Sequence, residues 1–336
     1  MDDRQADPAS PRFGWRLACA VAVGIAYALL TYWQLAIGRP GLQANDFTYP
    51  WLAARALFHG DEPYSYVASQ PTPWGGALFY PLTAAIAVMP LAALPVKVAG
   101  SLFVGIGAGL LAFFVTRQGL WRLMIFASAP ALRASSGVQW SPLLTAAALC
   151  PGLLGFAACK PNLLLPLLAY PANRRAIAYC LLGCAVLAVP AFLFDVRWPL
   201  NWIAALRTDP LAGQYRAPLL TLFGWPLALA VLRWPRPDAR LLLAMAVVPQ
   251  NAFFYEQLPL MLIPRSPRQL LLVCATSIAA FVIGLNAMPR QETVRVWSDS
   301  FYPFLIAGVY LPMLVFVLMR RTPLGEREIE RSADKA

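Results

Sequence analysis

Long apolar runs, separated by short joints rich in proline, arginine and aromatic residues, set the pattern of this chain. Residues 16–37 form the first run, long enough for a helix through a hydrocarbon core that takes about 20 residues to cross. Tyr32 and Trp33 close it as interface anchors. Residues 97–116 predict a second span, in which Gly105, Gly107 and Gly109 leave room for close helix approach. Residues 176–194, 269–288 and 303–319 predict further spans.

Other runs are interrupted. Residues 78–95 carry Pro81, Pro90 and Pro95 and read as a kinked span or a re-entrant pair, and 120–138 are broken by Pro130 and Arg133. Residues 141–171 contain Pro142, Pro151 and the pair Lys160-Pro161, which leaves one span plus a re-entrant segment or two short spans. Residues 218–232 return to a basic turn. Within 240–264 the apolar flanks enclose P-Q-N-A-F-F-Y-E-Q, and two half-helices meeting at Gln250–Gln257 are expected. Polar backbone at membrane depth is tolerated where it lines a cavity. A single straight span there would also put Arg320 and Arg321 on the wrong side for the positive-inside rule.

The expected fold is therefore an all-α polytopic membrane protein with about 10 (8–12) transmembrane helices. Residues 1–14 and 321–336 read as cytoplasmic tails around one transmembrane domain, 15–320. Arg12 and Arg16 put the start in the cytoplasm, and with no small-residue cleavage site after it the first run reads as a retained anchor. The loops 38–77 and 195–217 then lie on the opposite face, with a helix over Tyr49–Phe58 along the membrane surface.

Composition supports lipid as the main solvent. The chain is 59% hydrophobic and 13% charged, half the roughly 25% charged residues of soluble domains. Its net charge of +11 does not point to nucleic acid. The cations sit in small groups between apolar runs (Arg117 and Arg122; Arg174 and Arg175; Arg233, Arg236 and Arg240; Arg320 and Arg321), as the positive-inside rule and anionic headgroups require. The six cysteines lie within apolar runs as small hydrophobes, with no metal-ligand spacing and no disulfide framework.

Chemistry is expected where the polar side chains gather, above all in 41–66. Asp46 reads either as a helix N-cap or as a general base facing a sugar hydroxyl. His59 sits in a turn and reads first as a headgroup-level residue. Glu256, beside Tyr255, is a carboxylate in an apolar run, a costly placement that marks a functional cavity. Lys160 either snorkels to the interface or holds a phosphate. Arg197, Arg207 and Arg216 are solvated or grip a lipid phosphate. Gln139 is a capping amide or a ligand contact. No Walker, zincin or serine-hydrolase motif occurs.

Taken in order, these pieces resemble a known family. D-F-x-x-Y-x-x-A after the first span (Asp46, Phe47, Tyr49, Ala53), G-x-x-P-Y (Gly60, Pro63, Tyr64), then Tyr80-Pro81 and M-P-L-A-A-L-P through Pro90 and Pro95 resemble the glycosyltransferase family 87 mannosyltransferases. Gln139 with W-S-P-L-L resembles that family's G-Q-x-N-x-L-L, Lys160-Pro161 its K-P, and the 249–257 segment its polar break. The resemblance covers roughly residues 15–265. Val138 stands where the family has glycine, Trp140 where Asn-like company is usual, and Glu256 where Asp or His is usual.

The resemblance implies a GT-C fold with interfacial helices in the first outer loop and inverting transfer of a sugar, mannose by default, from a polyprenyl-phosphate donor to a lipid or glycan acceptor. It implies no metal or other cofactor, an integral location in a bacterial inner membrane with the active site facing outward, and Asp46 as the base. Asn45, Tyr49, Arg55, His59, Tyr64, Gln139, Lys160, Arg207, Arg216, Tyr255 and Glu256 are then the substrate-binding candidates. Two rivals stand beside it: a secondary transporter or flippase coupled through Glu256 and Lys160, and an inactive membrane scaffold. Internal repeats expected of the transporter are not found.

Overall fold

The computed structural model describes residues 13–38, 43–208, 215–287 and 294–320. The expected tails, apart from Phe13 and Gly14, lie outside the described residues, as do 39–42 and 209–214 of the two expected outer loops. The described residues are 79% helical, with no strand among them.

Two long antiparallel rods form one wall. α1 (Phe13–Ile37) presents Phe13, Leu17, Val21, Ile25, Leu29, Trp33 and Ile37 outward at a spacing of four, an exposed apolar stripe suited to lipid. Its other side packs on α5 (Val96–Val115), where the two backbones nearly touch. A Cβ added to Gly105 would meet the Gly24 carbonyl oxygen at 2.7 Å, so only glycine allows this approach. Arg16 donates to the Phe113 carbonyl at 2.9 Å and Lys97 to that of Leu35 at 2.9 Å, fixing both ends of the pair.

The chain between these two rods folds into short helices. α2 (Thr48–His59) and α3 (Pro63–Ser69) follow one another, and α2 buries Tyr49, Trp51, Leu52 and Leu57. The helix expected to lie along the membrane surface is thus largely enclosed by protein. Its apolar residues are spread around the helix and need cover on most sides. α4 (Leu82–Val88) with the 3₁₀ turn Met89–Leu91 makes only a ten-residue apolar helix. Prolines at 81, 90 and 95 cut the run too short to cross as one piece.

Proline also shapes the middle of the chain. The run 120–138 splits into a 3₁₀ segment, Leu120–Ala127, and α6 (Ala129–Ser136). The run 141–171 becomes α7 (Ser141–Leu149), the 3₁₀ segments Pro151–Cys159 and Pro161–Leu163, and α8 (Leu164–Ala169). α9 (Arg174–Phe194) is a long, outward-facing apolar rod, followed by the shorter α10 (Trp198–Thr208). After a 3₁₀ segment at Trp225–Arg233, α11 (Pro237–Val247) stops at Val248, and a second 3₁₀ segment resumes at Tyr255–Leu262. The run 240–264 is therefore two halves around a polar break.

α12 (Pro267–Ala287) and the rod made of α13 (Val294–Leu305) and α14 (Leu311–Leu318), joined by a π-helical turn at Ile306–Tyr310, complete the bundle. Among the described residues five helices are long and apolar enough to cross a membrane. The remaining apolar runs are assembled from shorter α and 3₁₀ pieces.

Candidate functional site

The broken segments meet the segment between α1 and α4 at a chain of charged and polar side chains. Asp46 lies in the 3₁₀ turn Asn45–Phe47 at the start of α2. Its carboxylate caps neither helix. Oδ1 accepts from the Trp74 indole at 2.9 Å and Oδ2 from the Gln139 amide at 2.5 Å. The N-cap alternative for Asp46 therefore falls, because both oxygens point across to other segments.

From Gln139 the chain continues without a gap. Its Oε1 accepts from the Lys160 ammonium at 3.0 Å, and Lys160 lies 2.9 Å from Glu256 Oε1. Glu256 is fully buried and takes two further donors: Asn162 at 3.2 Å and the Asn251 backbone N–H at 2.7 Å. The Lys160 ammonium also sits 4.9 Å from the centre of the Tyr255 ring, within cation–π range. Lys160 is enclosed and ion-paired, so it does not snorkel. Burial is tolerated here because the pair is hydrogen-bonded on every side.

Backbone geometry aims these groups. Asn45 and Val138 both have positive φ, 49° and 51°, immediately before Asp46 and Gln139, and Phe254 (69°) comes immediately before Tyr255. For a β-branched residue such as Val138 this is an unusual conformation that glycine adopts freely. Asn45 Nδ2 donates to the Ser136 carbonyl at 2.5 Å, tying the loop to the end of α6. The break at 248–254 satisfies its own polar groups. Gln250 exchanges backbone hydrogen bonds with Arg216, its carbonyl also accepts from the Tyr302 hydroxyl at 2.5 Å, and its side chain accepts from Gln257 at 3.1 Å.

The other expected site residues are placed around this chain. Tyr49 donates to the Gly75 carbonyl and accepts from the Trp74 N–H, both at 3.3 Å, and so supports the tryptophan that holds Asp46. Tyr64 reaches the Tyr80 carbonyl at 3.5 Å. Arg55 stacks on Trp51 at 4.9 Å. His59 is exposed at the end of α2, and Arg207 is exposed on α10. Arg216 is ion-paired with Asp299 at 2.7 Å.

Trp74, Asn162, Asn251 and Arg133 are site residues that sequence reasoning missed. Arg133 entered it only as an interruption of a span. In the fold it lies on α6, donates to Ser136 Oγ at 2.8 Å and stacks on Phe281 at 5.3 Å. It is close enough to Asp46 for that carboxylate's charge to act on its guanidinium. Its place before the Ser135-Ser136-Gly137 turn was the available signal.

Burial raises the Asp46 carboxyl above the ordinary aspartate value, against the opposing pull of Lys160 and of its hydrogen bonds to Gln139 and Trp74. A raised carboxyl binds its proton more strongly than a solvated one, which improves it as a base once ionised. Among the described residues no three of His, Cys, Asp and Glu group to hold a metal ion.

Fold and site together define an all-α, membrane-embedded protein whose polar centre is built where helices break. Compared with protein-family models, curated proteins and solved structures, the chain returns no match.

Proposed function

We propose that the protein is a membrane glycosyltransferase that moves a sugar, mannose in the first instance, from a polyprenyl-phosphate donor to a lipid or glycan acceptor on the non-cytoplasmic face. The observation that carries this reading is the linked set Asp46–Gln139–Lys160–Glu256, which sets a carboxylate of raised proton affinity two hydrogen bonds from a buried cation. In the proposed step the acceptor oxygen attacks the anomeric carbon while Asp46 takes the hydroxyl proton. The bond from that carbon to the phosphate oxygen breaks, and polyprenyl phosphate leaves with the electron pair. Lys160, with Arg133 nearby, offsets the charge on the departing phosphate. One displacement inverts the anomeric centre and needs no second nucleophilic carboxylate. A metal-independent GT-C fold belongs to the same proposal.

A second reading has its own support. Lys160 and Glu256 form a buried pair at 2.9 Å, the arrangement that an ion-coupled transporter of a lipid-linked or small polar substrate would use.

The deciding experiment incubates purified wild type and Asp46→Asn with radiolabelled polyprenyl-phosphate mannose and a membrane lipid extract. Label moves to a new lipid with wild type, and the variant is slower by about 10²–10⁴-fold, the usual worth of a general base. Near-normal transfer by the variant removes Asp46 as base. Label that crosses reconstituted vesicles unchanged, without transfer, selects the transporter.

A further inference from the structure

The far end of α5 carries a second, different site. A cavity of about 480 Å³ there is lined by residues that include Arg122, Arg265, Asp238 and Tyr170. Arg122 is 5% exposed, and its Nε and Nη1 have no hydrogen-bond partner among the described residues. It is held by stacking on Trp121 at 4.4 Å. Asp238 is already engaged by Arg236 at 3.4 Å, Arg265 at 3.8 Å and Arg320 at closer range. Arg122 feels the repulsion of Arg265, and Arg320 that of both Arg122 and Arg236. Three guanidinium groups therefore meet one carboxylate beside the cavity, and Arg122, a fourth, has no ion pair with it.

Holding unpartnered guanidinium N–H groups out of water is costly unless an acceptor completes them. Guanidinium forks match the oxygens of phosphate. We infer that this cavity binds a phosphate-bearing anion, either the headgroup of an anionic membrane lipid or free phosphate, with Arg122 and Arg265 as its ligands. The site is independent of the glycosyl-transfer reading. It lies at the Gln118 end of α5, where Gln118 lines the cavity, whereas a Cβ on Gly100 near the other end would touch Ala44 and Phe47 beside Asp46. About 30 Å of helix separates them.

The test measures the thermal unfolding midpoint of the purified full chain in neutral detergent. One arm titrates inorganic phosphate against chloride. The other titrates phosphatidylglycerol against phosphatidylcholine in mixed micelles. Wild type is stabilised, and Arg122→Gln and Arg265→Gln each raise the half-saturating concentration at least about tenfold, roughly 1.4 kcal/mol. Protection by phosphatidylglycerol alone assigns a lipid headgroup, and protection by phosphate alone assigns a soluble source. Absence of protection in both arms overturns the inference. So does a wild-type response in both variants. Arg265, whose side chain is 57% exposed, supplies a variant that folds even where Arg122→Gln does not.

Discussion

The two ends of α5 hold charge in opposite ways. At the Asp46 end both carboxylates and the ammonium are fully engaged: Asp46 by Trp74 and Gln139, Lys160 by Gln139 and Glu256, and Glu256 by Asn162 and Asn251 as well. At the other end two buried nitrogens of Arg122 have no hydrogen-bond partner among the described residues. Both places are partly or wholly closed to water, so the cost of an unpaired charge is similar. The difference is that Asp46, Gln139, Lys160 and Glu256 are linked end to end by contacts with one another, while Arg122 is left for something from outside to complete. A finished network positions groups for chemistry, whereas an unfinished one marks a binding site.

The sharpest way to break this comparison is to remove one cation from each end. Lys160→Met leaves Glu256 fully buried without its counter-charge, and loss of one partner of such a pair costs about 3–5 kcal/mol. Arg122→Gln removes a guanidinium with no ion pair of its own, and its cost is expected at no more than about 1 kcal/mol, the size of a modest cation–π contact. Detergent unfolding of the two variants side by side measures the gap. Equal losses would mean that the two ends are not different in kind. Adding Glu256→Gln to Lys160→Met is expected to restore part of the lost stability, since it neutralises the stranded charge.

Acidity gives a smaller effect that sharpens the picture of the Asp46 end. Burial raises the folded-state Asp46 carboxyl above its unfolded value. The native state therefore binds this proton more tightly. This group's contribution to stability is fully present below the unfolded value, about 3.9, and is lost as pH rises through the folded one. Its catalytic role runs the other way, because only the ionised form accepts a proton. Transfer is expected to fall about tenfold per pH unit on the acid side, with the inflection above the ordinary aspartate range. A pH–rate profile with its acid limb at or below about 4 would contradict a raised carboxyl.

How much of this was legible in the sequence follows from what a single residue costs in an apolar run. Glu256 and Lys160 stood out because charge there is expensive, and the fold pairs them. Gln139 stood out through its motif, and the 249–257 break through its density of amides. Trp74, Asn162 and Asn251 did not, since neutral donors are cheap in ordinary loop and turn settings and reveal themselves only by what they face. Asp46 was ambiguous for the same reason: a short acid before a helix fits a cap equally well until its partners are known. The long uninterrupted rods α1, α5, α9 and α12 were readable from length alone. The prolines of 120–171 showed that the runs break, but not that the pieces wind as 3₁₀ turns.

The finest test bears on Val138, where two terms of similar size oppose each other. Its φ of 51° places a β-branched side chain in the left-handed region, at a cost of about 1–2 kcal/mol. Yet Val138 is 1% exposed, and a Cβ placed on Gly100 would lie 3.0 Å from its Cγ1, so the side chain fills space against α5. Burying a valine contributes about 1.5–3 kcal/mol. Val138→Gly therefore relieves strain and loses packing together, and the expected net change in stability is within about 1 kcal/mol of zero. Val138→Ala removes most of the packing and keeps the unfavourable φ, so it is expected to be the less stable of the two. If alanine proves the more stable, the backbone at 138 carries no strain, and the aim of Gln139 at Asp46 owes nothing to it.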